Sequence, residues 1–178
     1  MGNPFAYLVD TLFGLYTVAL LLRFLLQLVR ANFYNPVSRA LVQVTDPLLQ
    51  PLRRFVPGAG GVDVASLVAM VLVQLAGTWL VLLLVGEEVT APKLLSLTVY
   101  QLVDLVLLTY IVTIVIQALM SWINPGVHSP AMSLLYQLNA PLLRVAQRVT
   151  PPLGGFDLSP LLVLIALQFS RLLLRQLF

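Results

Sequence analysis

The chain has 178 residues, of which 60% are hydrophobic and only 10% charged, and its formal net charge is +3. Soluble domains carry about 25% charged residues, so these charges are too few to coat a water-facing surface, and a soluble enzyme, a disordered regulator and a disulfide scaffold are excluded. The absence of cysteine removes thiol nucleophiles, redox pairs and iron–sulfur ligation, and the single histidine, His128, rules out a bis-histidine haem within one chain.

A helical span needs about 20 apolar residues to cross a core of about 30 Å. The first such stretch covers about 5–29. It lies close to Met1 but has no basic region before it and no small-residue cleavage site after it, so a retained span is expected. Asn35 before Pro36 then signals a cap followed by proline at the first helical position. Val37, Leu41, Val44, Leu48, Leu52 and Phe55 recur in steps of three and four, with Arg39, Gln43, Arg53 and Arg54 off that face. This predicts an amphipathic helix in the headgroup plane over about 36–56, bent at Pro47 into two short pieces. Pro57, Gly60 and Gly61 are expected to stop it and turn the chain, and Asp63 to cap the second span, about 64–86. With neither a preceding strand nor a phosphate-loop lysine, the double glycine does not read as a phosphate site.

Glu87, Glu88 and Lys93 lie in a short connection to the third span, about 96–120. Ser129-Pro130 repeats the cap signal before a second surface helix, about 130–150. Its apolar face is Ala131, Leu134, Leu138, Leu142, Val145 and Val149, interrupted by Pro141. Pro151, Gly154, Gly155 and Asp157 repeat the turn and cap, with Ser159-Pro160 as a competing cap, and the last span covers about 158–178.

Rare residue types recur 94 positions on. Asp10 matches Asp104, Tyr16 matches Tyr110, Pro47 matches Pro141, Arg54 matches Arg148, Asp63 matches Asp157 and Gln74 matches Gln168. The chain therefore reads as two units, 1–86 and 87–178, each a span, a surface helix and a span. An even number of spans per unit gives parallel repeats, related by an axis along the membrane normal. The fold expected is all-α, with four transmembrane helices. Both long segments lie on one side and carry Arg30, Arg39, Arg53, Arg54, Arg144 and Arg148, which places them in the cytoplasm and both termini outside. Arg39, Arg53, Arg54, Arg144 and Arg148 are candidates for lipid headgroup contact.

The run Asn35-Pro36, Thr45-Asp46-Pro47-Leu48-Leu49, Pro51-Leu52-Arg53-Arg54, Pro57 and Gly60-Gly61-x-Asp63 resembles the YggT/YlmG family. The second copy carries Trp122-Ile123-Asn124-Pro125, Pro141-Leu142-Leu143, Arg148, Pro151 and Gly154-Gly155-x-Asp157-x-Ser159-Pro160. The resemblance covers nearly the whole chain and is to the two-repeat bacterial type. It departs where Val145 and Gln147 replace Pro51 and Arg53, and where Ala65-Ser66 stands for Ser159-Pro160. It implies a multi-pass protein of the bacterial inner membrane. Family roles span osmotic tolerance or ion uptake, cell or plastid division with nucleoid distribution, and haem attachment to cytochrome b in plastids.

Ionisable residues inside spans are functional candidates. Asp10 and Asp104 lie roughly 8–12 Å below the outer surface at about 1.5 Å per residue, and Arg171 reaches a similar depth. These three are expected to form an intramembrane charge cluster, either a clamp between helices or a proton or cation pathway. Arg23 is expected to snorkel to the headgroups. The Gly-x-Gly-Asp context of intramembrane aspartyl proteases is missing, as are a Ser/His pair within a span and a His/Glu metal set. No enzyme activity, metal or cofactor is expected, and the sequence requires no nucleic acid contact. The expected function is a scaffold or assembly factor in envelope homeostasis or osmotic stress tolerance. Its partners are the lipid bilayer and another membrane protein or a second copy. The alternative is a channel or transporter component, for K⁺ among others, using Gln27, Gln74, Thr109, Thr113, Gln117 and Gln168 as a partial polar stripe.

Overall fold

A computed structural model describes residues 3–56, 58, 61–123, 129–149 and 157–178, with Trp122 described by its backbone alone. Its elements are α1 (Pro4–Leu28), α2 (Pro36–Phe55), α3 (Val64–Val85), α4 (Ala91–Ile123), α5 (Pro130–Val149) and α6 (Ser159–Leu177). Four of them, α1, α3, α4 and α6, are long and apolar enough to cross a membrane. No strand occurs among the described residues.

The local signals act as their chemistry demands. The side chain of Asn3 accepts from the Phe5 amide and that of Asn35 from the Val37 amide, each directly before a proline at the helix start. Gly86, at φ 76°, closes α3 in the left-handed region that glycine enters without a side-chain clash. Both α2 and α5 begin at a proline and have 20 residues.

Two expectations need correction. First, α2 does not break at Pro47, nor α5 at Pro141; each proline sits inside a continuous helix. Proline removes a donor and exposes the carbonyls of the preceding turn. Side chains take up the nearby carbonyls of α2: the Tyr16 hydroxyl donates to the Val44 carbonyl at 3.4 Å, and Arg23 Nη1 to that of Val42 at 3.3 Å. Second, the third span starts at Ala91, not near 96. The Leu94 amide donates to the Thr90 carbonyl at 2.9 Å, and Pro92 suits the first turn, so the helix winds through Lys93.

In the membrane layer α1 packs on α3, α3 on α4 and α4 on α6, while α1 and α6 make no contact among the described residues. Because α4 also touches α1, the row of helices is curved, but it does not close. Beneath it, α2 packs under α1 and α3, and α5 under α4 and α6, touching α1 and α2 as well. The main core joins both layers: Leu20, Leu21, Leu25 and Leu26 of α1 meet Leu49 of α2, Ala69 and Met70 of α3, and Leu134 and Leu138 of α5. Leu41, Leu48 and Leu52 pack against it, whereas Val44 and Phe55 on the same helix stay exposed. The apolar face of α2 is therefore shared between the protein and its surroundings. Close approach of α1 and α3 depends on Gly77, where an added Cβ would lie 2.7 Å from Phe13 Cβ.

Candidate functional site

Asp104 on α4 and Arg171 on α6 form a two-pronged ion pair. Arg171 Nε donates to Asp104 Oδ1 at 2.6 Å and Nη2 to Oδ2 at 2.7 Å. The side chains are 20% and 14% exposed, so the pair is largely withdrawn from its surroundings. Parallel N–H···O bonds of this kind fix orientation as well as distance. Farther along, the ring of Tyr100 on α4 lies 5.9 Å from that of Phe178, the residue that follows α6.

Asp10 does not join them, which corrects the expected three-member cluster. It is exposed and far along the row, on α1. The reason is that α1 makes no contact with α6 among the described residues, and the position matching Arg171 on α3 is Gly77. A glycine there admits Phe13 where an arginine would need room, so the first half has close packing in place of a charge pair.

A second polar site was not expected. Arg23, predicted to snorkel, is 4% exposed and turned inward beneath α1. Its Nη1 donates to Thr45 Oγ1 at 2.6 Å and to Asp46 Oδ1 at 2.7 Å. Docking of α2 brings both partners to it, so it ties α2 to α1. In the second half the matching residues are Gln117, Asn139 and Ala140. There Asn139 Nδ2 donates to Gln117 Oε1 at 2.8 Å, and the Thr113 hydroxyl to Asn139 Oδ1 at 2.9 Å. A charged clamp and a neutral one thus occupy matching places. The signal was present in the sequence, since positions 23 and 117, and 45 and 139, each 94 residues apart, are all polar.

The corners into α3 and α6 differ too. Asp63 caps α3, accepting from the Ser66 amide at 3.3 Å, and also pairs with Arg53. Burial pushes the Asp63 carboxyl up, but hydrogen bonds from Arg53 and Ser66 and the Arg53 charge outweigh it, holding it below the usual carboxylate range. The two residues line a cavity of about 390 Å³ with Gln27, Val56 and Gly58. Asp157 sits one residue outside the cap position of α6, which Leu158 occupies. It accepts from the Ser159 amide at 2.9 Å and from Gln147 at 3.0 Å. The Ser159 bonds hold its carboxyl below the usual range. Pro57, Gly60, Pro151, Gly154 and Gly155 lie outside the described residues; Gly61 has φ 81°, a left-handed turn. Arg39, Arg54, Arg144 and Arg148 are exposed, and Arg53 keeps 42% of its side chain exposed despite its ion pair.

The polar residues of the spans are engaged separately. Gln74 Nε2 on α3 donates to Gln101 Oε1 on α4 at 2.8 Å, and Thr78 Oγ1 donates to the same oxygen at 2.6 Å. Thr113 and Gln117 turn to Asn139, Thr109 is buried, and Gln168 is exposed on α6. On the layer below, Asn35 Nδ2 donates to the Pro130 carbonyl at 2.7 Å, and the Asn32 amide to Gln137 Oε1 at 3.1 Å. These bonds join the starts of α2 and α5 beside a groove of about 690 Å³.

Membrane-length helices, with charges spent between helices, define an all-helical protein of membrane type. The chain belongs to the CCB3/YggT family, whose model matches it twice, over residues 2–84 and 96–178. It is 42% identical over 169 residues to an uncharacterized protein of Pseudomonas aeruginosa, a match covering 94% of this chain and 86% of the relative. An uncharacterized Vibrio alginolyticus protein, encoded in the proC 3′ region, is 36% identical over 97% of this chain and 94% of its own. The uncharacterized protein YggT of Escherichia coli K12 is 34% identical, over 93% of this chain and 86% of its own. No solved structure matches the chain.

Proposed function

We propose that the protein is a non-enzymatic scaffold or assembly factor of the bacterial inner membrane, acting in envelope homeostasis or osmotic stress tolerance. Its four spans form two parallel repeats, and α2 and α5 are amphipathic helices on the cytoplasmic face, with both termini outside. The observation that carries this reading is the use made of buried polarity. Asp104–Arg171 clamps α4 to α6, Arg23 with Thr45 and Asp46 clamps α1 to α2, and Gln117–Asn139 clamps α4 to α5. A scaffold needs such fixed geometry, because a partner reads a surface that does not rearrange. The exposed Arg39, Arg54, Arg144 and Arg148 supply contact with anionic headgroups. Crosslinking in native membranes, followed by identification of what co-purifies, tests the reading. Recovery of the chain with lipid alone would overturn it.

A second reading, a channel or transporter component for K⁺ or protons, draws on one feature: Asp104 and Arg171 keep a minor part of their side chains open. Flux through liposomes carrying the purified protein, with Asp104→Asn as comparison, tests it.

A further inference from the structure

The two ends of the helix row carry matching halves of a seam that the protein has already built once in its middle. In that seam Gln74 and Thr78 of α3 both donate to Gln101 Oε1 of α4. Gln74 is 8% exposed and Thr78 only 4%, because α4 covers them. Moving 94 residues on, Gln74 becomes Gln168 and Thr78 becomes Leu172, both on α6; moving 94 back, Gln101 becomes Tyr7 on α1. Gln168 is exposed, Leu172 is 50% exposed and Tyr7 is 75% exposed. Within this chain they cannot meet, since α1 and α6 lie at opposite ends of the row and make no contact among the described residues.

We infer that a second copy of this chain lays its α1 on α6 of the first, with the Tyr7 hydroxyl meeting the Gln168 amide as Gln101 meets Gln74 inside each copy. The inference rests on the parallel-repeat reading above, and three physical points carry it. An amide facing hydrocarbon has no water to bond, so an exposed Gln168 in a span calls for a polar partner at its own depth. Repeats related by an axis along the membrane normal place Tyr7 at the depth of Gln101, and Gln168 at that of Gln74. Copies inserted in one membrane share an orientation, so the operation linking the two halves can be applied again from one copy to the next. The tyrosine hydroxyl can both accept from the amide nitrogen and donate to its oxygen. The contact is head-to-tail: it uses two different surfaces and produces a ring or an open chain of copies, not a two-fold dimer.

The lack of cysteine makes thiol crosslinking in native membranes a clean test. Copies carrying only Tyr7→Cys and copies carrying only Gln168→Cys are co-expressed and treated with a short membrane-permeant bismaleimide, since side chains that meet at their tips leave β-carbons too far apart for a disulfide. The expected result is a crosslinked dimer in the mixture and little in either variant alone, with the Tyr7→Cys/Gln168→Cys double variant giving a ladder of higher species. In one chain, Gln74→Cys with Gln101→Cys should give an internal crosslink. As a second readout that keeps Tyr7 intact, crosslinking between Leu8→Cys and Leu172→Cys copies, both at exposed positions, should fall about threefold when Gln168→Leu is added to the latter, the equilibrium factor of one typical interhelical hydrogen bond. An internal crosslink without the mixed one would overturn the second copy and leave the repeats standing. Loss of the internal crosslink would overturn both. Crosslinking within a single variant would mean a two-fold contact, which also contradicts the inference. The scaffold reading is judged apart from this, by co-purification.

Discussion

Arg171 and Asp104 hold each other with two bonds, so removing one strands the other. Breaking a buried pair typically costs about 3–5 kcal/mol, whereas replacing both partners by apolar groups is often close to neutral. Arg171→Leu should therefore lower the thermal stability of the purified protein more than Arg171→Leu with Asp104→Leu. Asp10→Asn, where no ion pair occurs among the described residues, strands no cation and should cost less than Asp104→Asn. Equal losses at Asp10 and Asp104 would contradict the pairing. The sequence made Asp104–Arg171 legible, because two opposite charges at one depth in neighbouring spans have few other uses. It did not exclude Asp10, since that depends on which helices touch, and α1 makes no contact with α6 among the described residues. Asp63 adds a pH dependence of known sign. Its folded carboxyl lies below the unfolded value of about 3.9, so its contribution is complete above about pH 4 and fades as pH falls through the folded value. The stability gap between the parent and Asp63→Asn should accordingly be constant near neutrality and close on acidification. A gap unchanged at low pH would mean that the charge of Asp63 is not what stabilises the corner.

Hydropathy alone located all four membrane-length helices, and periodicity located α2 and α5. What stayed hidden were features decided by one helix meeting another. Arg23 reads as a snorkelling cation when α1 is considered alone and becomes an internal anchor once α2 docks beneath it. Pro47 reads as a break when α2 is considered alone, yet the helix runs on. The matched clamps offer a test at this scale. Arg23→Leu leaves Asp46 without its cation and should cost about 1–3 kcal/mol. Installing the second half's set, Arg23→Gln with Thr45→Asn and Asp46→Ala, should recover most of that loss in a thermal melt. No recovery would mean the two clamps are not interchangeable. The face of α2 and α5 turned to the core can be probed likewise. Leu134→Asn, at a site only 5% exposed, should destabilise more than Leu41→Asn, whose leucine is partly buried, with membrane insertion kept in both.

Across the whole molecule, the proposed orientation rests on the arginines of the layer formed by α2 and α5. Single cysteines at Arg39 and Arg148 should escape an impermeant thiol reagent added outside intact cells, while one at Thr90 should react. All three positions are exposed in the fold, so accessibility differs only by side of the membrane. The reverse pattern would invert the protein. One feature of shape bears on the bilayer itself. With 33 residues, α4 is about 50 Å long at 1.5 Å per residue, against about 29 Å for the 19 residues of α6. A hydrocarbon core of about 30 Å suits α6 upright but not α4, whose surplus is absorbed by leaning or by projecting beyond the core. Asp104 and Arg171 pin the two helices to each other, so a mismatch felt by α4 is passed on to α6. In thinner or thicker bilayers the expected response is a change in the shared tilt of the pair.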